Sequence, residues 1–256
     1  MDEGTRIDHA TDILDRVLTD ARCAAESLAE AASLILWDQR PESGTGILLS
    51  GDHRSALQSH IQDALRNNTW CNGAGFASYA APAGSGDGYW TLEWWRQEGR
   101  SMQRAQLERN QETRQRLDFR AFTWFDLPAR QCEPVVDGPY VDYICNGAYT
   151  ITAAHPVLIG GAFAGVTAVD VLVSTLDRLL LPALRAIGRP ALVINQDTRV
   201  VTSTARGIRP GSLWKPHASD IQGSSPTGLR LVVLPPNPPR VPRSPPVGLQ
   251  PPRTAR

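Results

Sequence analysis

The stretch "YTITAAHPVLIGGAFAGVTAVDV", residues 149–171, restricts the fold more than any other part of the chain. Apolar alternation runs through about 149–158, stops at Gly160 and Gly161, and resumes through 162–173. Period-two alternation on both sides of a glycine pair, where positive φ costs nothing, predicts two antiparallel strands joined by a tight turn. On the second strand Ala164, Val166, Ala168, Asp170 and Leu172 are expected to share one face, so a carboxylate points the way a core surface points. Burying an unpaired carboxylate is costly, so Asp170 must meet a cation, a set of donors or a water-lined cavity. Three partners are open: an arginine would make a structural ion pair, a backbone group or the Thr152 hydroxyl a strand-end cap, and a ligand ammonium a sensor.

Other segments supply the elements around this hairpin. Apolar or small residues at Ile7, Leu14, Ala21, Leu28 and Ile35, with Ala10, Val17, Ala24 and Ala31 three residues after the first four, predict one long N-terminal helix within residues 1–40. Its alanine-rich seam suits close packing on a sheet or helix and also offers a surface for a homodimer. Pro41 and the glycines that follow break it, and a second helix is expected near Asp52–Arg66. Residues 71–82 and "YWTLEWWRQ" read as two strands of a second hairpin, with Trp90, Leu92 and Trp94 on one face and Thr91, Glu93 and Trp95 on the other. Residues 99–119 are polar all round and predict a solvated helix. "STLDRLLLPALRAIG" predicts an amphipathic helix starting at Ser174 and ended by Gly188. "ALVINQ" and "RVVTSTA" flank a turn at Asp197 and Thr198 and begin a smaller sheet. From Pro235 the chain is proline-rich without apolar periodicity, and a disordered or polyproline tail is expected.

The fold class is therefore α+β. A long helix (1–40) packs on an antiparallel sheet module (41–188), followed by a smaller partial α/β module (189–234) and a tail (235–256). A formal charge of +0 gives no electrostatic reason to expect nucleic acid or an anionic membrane as partner. The first residues are acidic, and nothing approaches the run of about 20 apolar residues of a membrane helix, so a soluble, cytoplasmic protein is expected. Cys23, Cys71, Cys132 and Cys145 are widely spaced and form no CxxC pair, which points to buried free thiols and calls for no metal.

Candidate chemistry centres on carboxylates and aromatic rings. "GPYVDY" places Tyr140 and Asp142 two apart on one side of an extended segment, and "TWFD" adds Trp124 and Phe125. Carboxylates with aromatic faces are the ingredients of a pocket for an organic cation. The competing reading makes the aromatics ordinary core and Asp142 a turn residue. Asp142, His155 and Asp170 are also combinable as acid, base and orienter, but no GxSxG, HExxH, P-loop or GxGxxG context accompanies them.

From Trp124 to Leu181, "GPYVDY", "YTITAAHPV", "GAFAGVTAVDV" and the following "LDRLL" resemble the core signature of the Cache superfamily, the PAS-like sensor domains of chemoreceptors and sensor kinases. The long first helix and the smaller sheet after residue 189 resemble the double Cache arrangement. The resemblance implies ligand binding in the first module, and in the amino-acid-binding branch it assigns Trp124, Tyr140, Asp142 and Asp170 to the site, with Asp170 on the ligand amine. It does not carry over throughout: Phe122 stands where that branch has its arginine, Phe125 replaces the second aromatic and Leu117 the leading tyrosine. Arg120 lies two residues early and substitutes only if the loop is rearranged. Without that arginine an α-carboxylate loses its bidentate partner, so an amine is as compatible as an amino acid.

The function expected from the sequence is thus non-catalytic sensing of a small polar metabolite carrying an amine, without cofactor, passing ligand state to a regulatory protein partner. The expected site is Trp124, Phe125, Tyr140, Asp142, Asp170 and Arg120. A scaffold with a vestigial pocket and an enzyme built on Asp142, His155 and Asp170 are the alternatives.

Overall fold

A computed structural model describes residues 2–39, 47, 49–80, 89–99, 101–105, 118–143, 147–215, 221–224 and 228–236. Six antiparallel strands, β1 (Gly73–Ala80), β2 (Tyr89–Glu98), β3 (Ser101–Arg104), β4 (Val135–Val141), β5 (Tyr149–Ile159) and β6 (Ala162–Leu172), form one sheet in the order β3-β2-β1-β6-β5-β4. A second antiparallel sheet orders β7 (Ala191–Ile194), β8 (Val200–Ser203), β9 (Ile221–Ser224) and β10 (Arg230–Val233) as β8-β7-β10-β9. The helices are α1 (Glu3–Ile35), α2 (Gly51–Asn67), α3 (Thr123–Gln131) and α4 (Val173–Ala186). The architecture is α+β, as the alternating and helical periods predict.

The glycine pair turns the chain as expected, with φ of 59° at Gly160 and 85° at Gly161. β5 and β6 pair along their whole length. The register shifts where Val157 faces Gly165 but Leu158 faces Phe163, leaving Ala164 as an extra residue. That bulge corrects the sequence reading of β6: Ala164 packs in the core beneath α1, while Val166 and Ala168 pack on the opposite face.

α1 begins with Asp2 accepting from the Thr5 backbone N–H. Its buried residues start on the heptad seam at Ile7, Ala10, Leu14 and Val17, then move to Ala25, Ala29 and Ala32. A straight helix drifts away from a strict seven-residue repeat in this way. The seam lies against β5, β6 and α4 of the same chain, so the surface that the sequence offered for self-association is occupied. Thr167 of β6 donates its hydroxyl to the Ala25 carbonyl of α1 across this interface. α4 touches β5 and β6 of the large sheet and β7 and β8 of the small one, and so bridges the two sheets.

Several local expectations need correction. Residues 101–104 are an edge strand rather than the start of a helix, because pairing with β2 brings Arg104 to the buried Glu93 carboxylate; residues 106–117 lie outside the described residues. α4 begins at Val173 after Leu172, with no side-chain cap from Ser174. Among the described cysteines only Cys71 is a buried free thiol, since Cys23 and Cys132 are exposed; Cys145 is outside the described residues. Gly84–Gly88 and the proline-rich end from residue 237 also lie outside them. Among the described residues no helix is long and apolar enough to cross a membrane.

Candidate functional site

The two faces of the large sheet differ in what covers them. One carries α1, α2 and α4 over an aliphatic core. The other carries α3 and the short 3-10 turn Phe119–Ala121 over an aromatic one, in which Phe119, Trp124 and Phe125 pack on Leu92, Trp94 and Val166. Phe119 stacks on Trp124 at 6.1 Å and meets Phe125 edge-on at 4.8 Å, while Trp124 lies 5.9 Å from Trp94. α3 packs against β4 and β5.

Asp170 projects into this aromatic face. Its strand neighbours are Gly73 on one side and Thr152 on the other. The Thr152 hydroxyl donates to Asp170 Oδ1 at 2.7 Å, and Tyr140 Oη lies 2.6 Å from the same hydroxyl. With Asp170 ionised, Thr152 spends its single proton on the carboxylate, so Tyr140 is the donor in the other bond. Asp142, buried at the end of β4, exchanges backbone bonds with the turn before β5: its N–H donates to the Ala148 carbonyl and its carbonyl accepts from Gly147 N–H. Burial first, and then the neighbouring Asp142 charge, push the Asp170 carboxyl up to about 8, against the opposing pull of the Thr152 bond. Burial and Asp170 likewise hold the Tyr140 phenol well above its usual range, so it stays neutral. The nearby Cys71 thiol is pushed up to about 12, by burial and then by Asp170, and is protonated and unreactive.

Trp124, Phe125, Tyr140, Asp142 and Asp170 are thus brought together on one face. Phe122, at the position of the missing arginine, packs its ring 5.5 Å from Tyr140. Arg120 stays at the rim, with its guanidinium centre 4.2 Å from the Tyr79 ring centroid and 4.9 Å from that of Trp90. Its Nε and one terminal nitrogen are both committed to Asp118, at 2.8 and 2.7 Å. The enzymatic trio is not assembled. His155 pairs with Thr167 on the α1 side of the hairpin, opposite in facing to Thr152 and Asp170.

Sequence reasoning missed Gly73, and it saw Trp94 only as one of the aromatic faces of the β1–β2 hairpin. A Cβ on Gly73 would lie 2.9 Å from Asp170 Oδ2 and 3.0 Å from Trp94 Nε1. Only the cross-strand register places this glycine beside the carboxylate, so no local motif signals it.

No family model matches the chain, and no curated protein matches it. Solved structures do. The sensory domain of the Campylobacter jejuni chemoreceptor Tlp3 with isoleucine bound superposes with a TM-score of 0.57 at 9% identity, covering 83% of this chain and 74% of that one. A methyl-accepting chemotaxis protein gives 0.50 at 16% identity, covering 81% and 77%. The extracellular domain of mmHK1S-Z3, described as a histidine kinase, gives 0.54 at 15% identity, covering 76% of this chain and 66% of that one. The chain has the fold of these sensory domains. The expectation of a cytoplasmic protein is corrected by the same comparison, because the solved domains sharing this architecture include extracellular sensory ones; the lack of an apolar helix among the described residues does not place the chain inside a cell.

Proposed function

We propose that this chain, with its Cache-type sensor fold, is an extracellular sensing domain. It binds a small polar ligand through a protonated amine on the aromatic face of its large sheet and passes occupancy to a signalling partner. The observation that carries this reading is Asp170. It is a buried carboxylate with one oxygen held by Thr152 and with Asp142 as a second acid beside it, and no arginine, lysine or histidine among the described residues pairs with it. The Thr152 bond, one of the alternatives open in the sequence, is present, but one hydroxyl does not offset a buried charge. A ligand ammonium supplies the missing cation, and Trp124, Phe125 and Tyr140 supply ring faces. The binding of isoleucine and of L-valine by Tlp3 domains of the same fold supports an amine-bearing ligand.

Thermal melting against a panel of amines, amino acids and carboxylates tests this reading. An amine at 100 times its Kd should stabilise the wild-type chain by about 2.7 kcal/mol. Asp170→Asn and Asp142→Asn should keep the fold and lose that shift; an unchanged shift in both variants refutes the site. Failure of the whole panel to move the melt would leave the scaffold reading.

A further inference from the structure

Trp94 is 3% exposed, and its indole N–H meets no acceptor among the described residues. A buried donor without a partner is costly, and it marks where a group from outside the chain completes the bonding. This donor is not isolated. Trp94 Nε1 and Asp170 Oδ2 each lie about 3 Å from one point, the position a Cβ on Gly73 would take, yet they do not bond to each other. The two groups therefore lie side by side over Gly73, and one hydroxyl can serve both, accepting from the indole and donating to the carboxylate.

The sign of the surroundings selects among acceptors. A ligand carboxylate would satisfy Trp94 but would stand against Asp170 and Asp142. Of the guanidinium groups on this face, that of Arg120 is bound to Asp118 at the rim, and that of Arg96, in register with Gly73, bonds to Glu98 and Gln103. A neutral acceptor meets no such repulsion.

Resting on the amine-binding reading of this site, we infer that Trp94 determines specificity: the ligand is an amine with a neutral hydroxyl or carboxamide on the adjacent carbon, not a free α-amino acid. The ammonium pairs with Asp170 beside Asp142, and the vicinal oxygen bonds Trp94 Nε1 and Asp170 Oδ2. Glycine at position 73 lets both groups come this close to the strand, since a Cβ there would crowd Asp170 Oδ2 and Trp94 Nε1.

Three probes of similar size separate the outcomes: 2-aminoethanol, propylamine and glycine, titrated calorimetrically into the wild-type chain and into Trp94→Phe. The wild type should bind 2-aminoethanol at least about tenfold tighter than propylamine or glycine, because a site with a waiting donor rejects an analogue that leaves it unpaired. Trp94→Phe should reduce the preference over propylamine to less than about twofold by weakening 2-aminoethanol alone. Gly73→Ala, whose methyl would push Asp170 Oδ2 and Trp94 Nε1 out of place, should erase the same preference and serves if the tryptophan variant misfolds. An unchanged preference in Trp94→Phe, or tighter binding of glycine than of 2-aminoethanol, overturns the inference while leaving the amine site standing. Binding of none of the three by the wild type overturns the amine site and this inference together.

Discussion

Glu93 and Asp170 are buried carboxylates on opposite faces of one sheet, and their surroundings differ in kind. Glu93, 1% exposed, faces α2, where Arg54 reaches it at 3.0 Å and Arg104 at 2.6 Å, and Trp95 Nε1 donates at 3.2 Å. Asp170, 3% exposed, has a hydroxyl, a second acid and aromatic rings. The first arrangement is a closed ion pair whose charge is balanced within the chain. The second leaves its balance to something else, and this asymmetry, more than burial, separates a structural acid from a candidate binding acid.

Removing the balance on the Glu93 side should have the largest effect on stability. Arg54→Ala combined with Arg104→Ala strands a buried carboxylate and should cost about 3 kcal/mol, toward the low end for such a loss because both guanidinium groups are partly open to water. Asp170→Asn without ligand should cost nothing comparable, because the carboxyl, raised to about 8, is mostly protonated at neutral pH and has no cation to lose. Urea unfolding of both variants at neutral pH makes the comparison; equal losses would mean that Asp170 has an internal counter-charge after all.

What the sequence displayed of these two environments follows from the range of the interactions. Period-two alternation around Gly160 and Gly161 and the apolar seam of α1 are local patterns, and they foretold the central hairpin and the long helix. The aromatic face was also legible, because Trp124, Phe125 and Tyr140 lie in segments whose residue types stand out. The Glu93 ion pair was not, since Arg54 comes from a helix far earlier in the chain and Arg104 from an edge strand whose polar residues mimic a solvated helix. Gly73 beside Asp170 and the bulge at Ala164 depend on strand register, which no single segment carries. Arg120, expected to replace the missing arginine only after a loop rearrangement, instead bonds to Asp118.

The second contrast is in pH. The Asp170 carboxyl is raised from 3.8 to about 8, so the native state holds this proton more tightly than the unfolded chain does. Between those values the native state binds more protons than the unfolded one, and this group makes stability fall as pH rises, with the penalty complete above about 8. Asp137, raised by burial, acts in the same direction. An ammonium ligand requires the ionised form, so amine affinity should rise by up to about tenfold per pH unit from pH 6 to pH 8 and then level off. Below pH 8 binding should release protons, which calorimetry in buffers of different ionisation enthalpy measures directly. A flat affinity profile would show that Asp170 is already ionised without ligand.

The smallest effects should come from the neutral donors beside each acid. Tyr140→Phe removes the phenol that donates to Thr152 and leaves the Thr152–Asp170 bond in place, at an expected cost of about 1 kcal/mol. Trp95→Phe removes one donor to Glu93, which keeps both arginines, and should cost less than Tyr140→Phe. The two differ further on adding a saturating amine. Tyr140→Phe should weaken the ligand-induced shift in melting temperature, because the Thr152 hydroxyl is then no longer polarised by the phenol as it bonds Asp170, whereas Trp95→Phe should leave it at the wild-type value. Equal ligand shifts in the two variants would show that the Tyr140–Thr152–Asp170 chain supports the strand and not the carboxylate's reach toward a ligand.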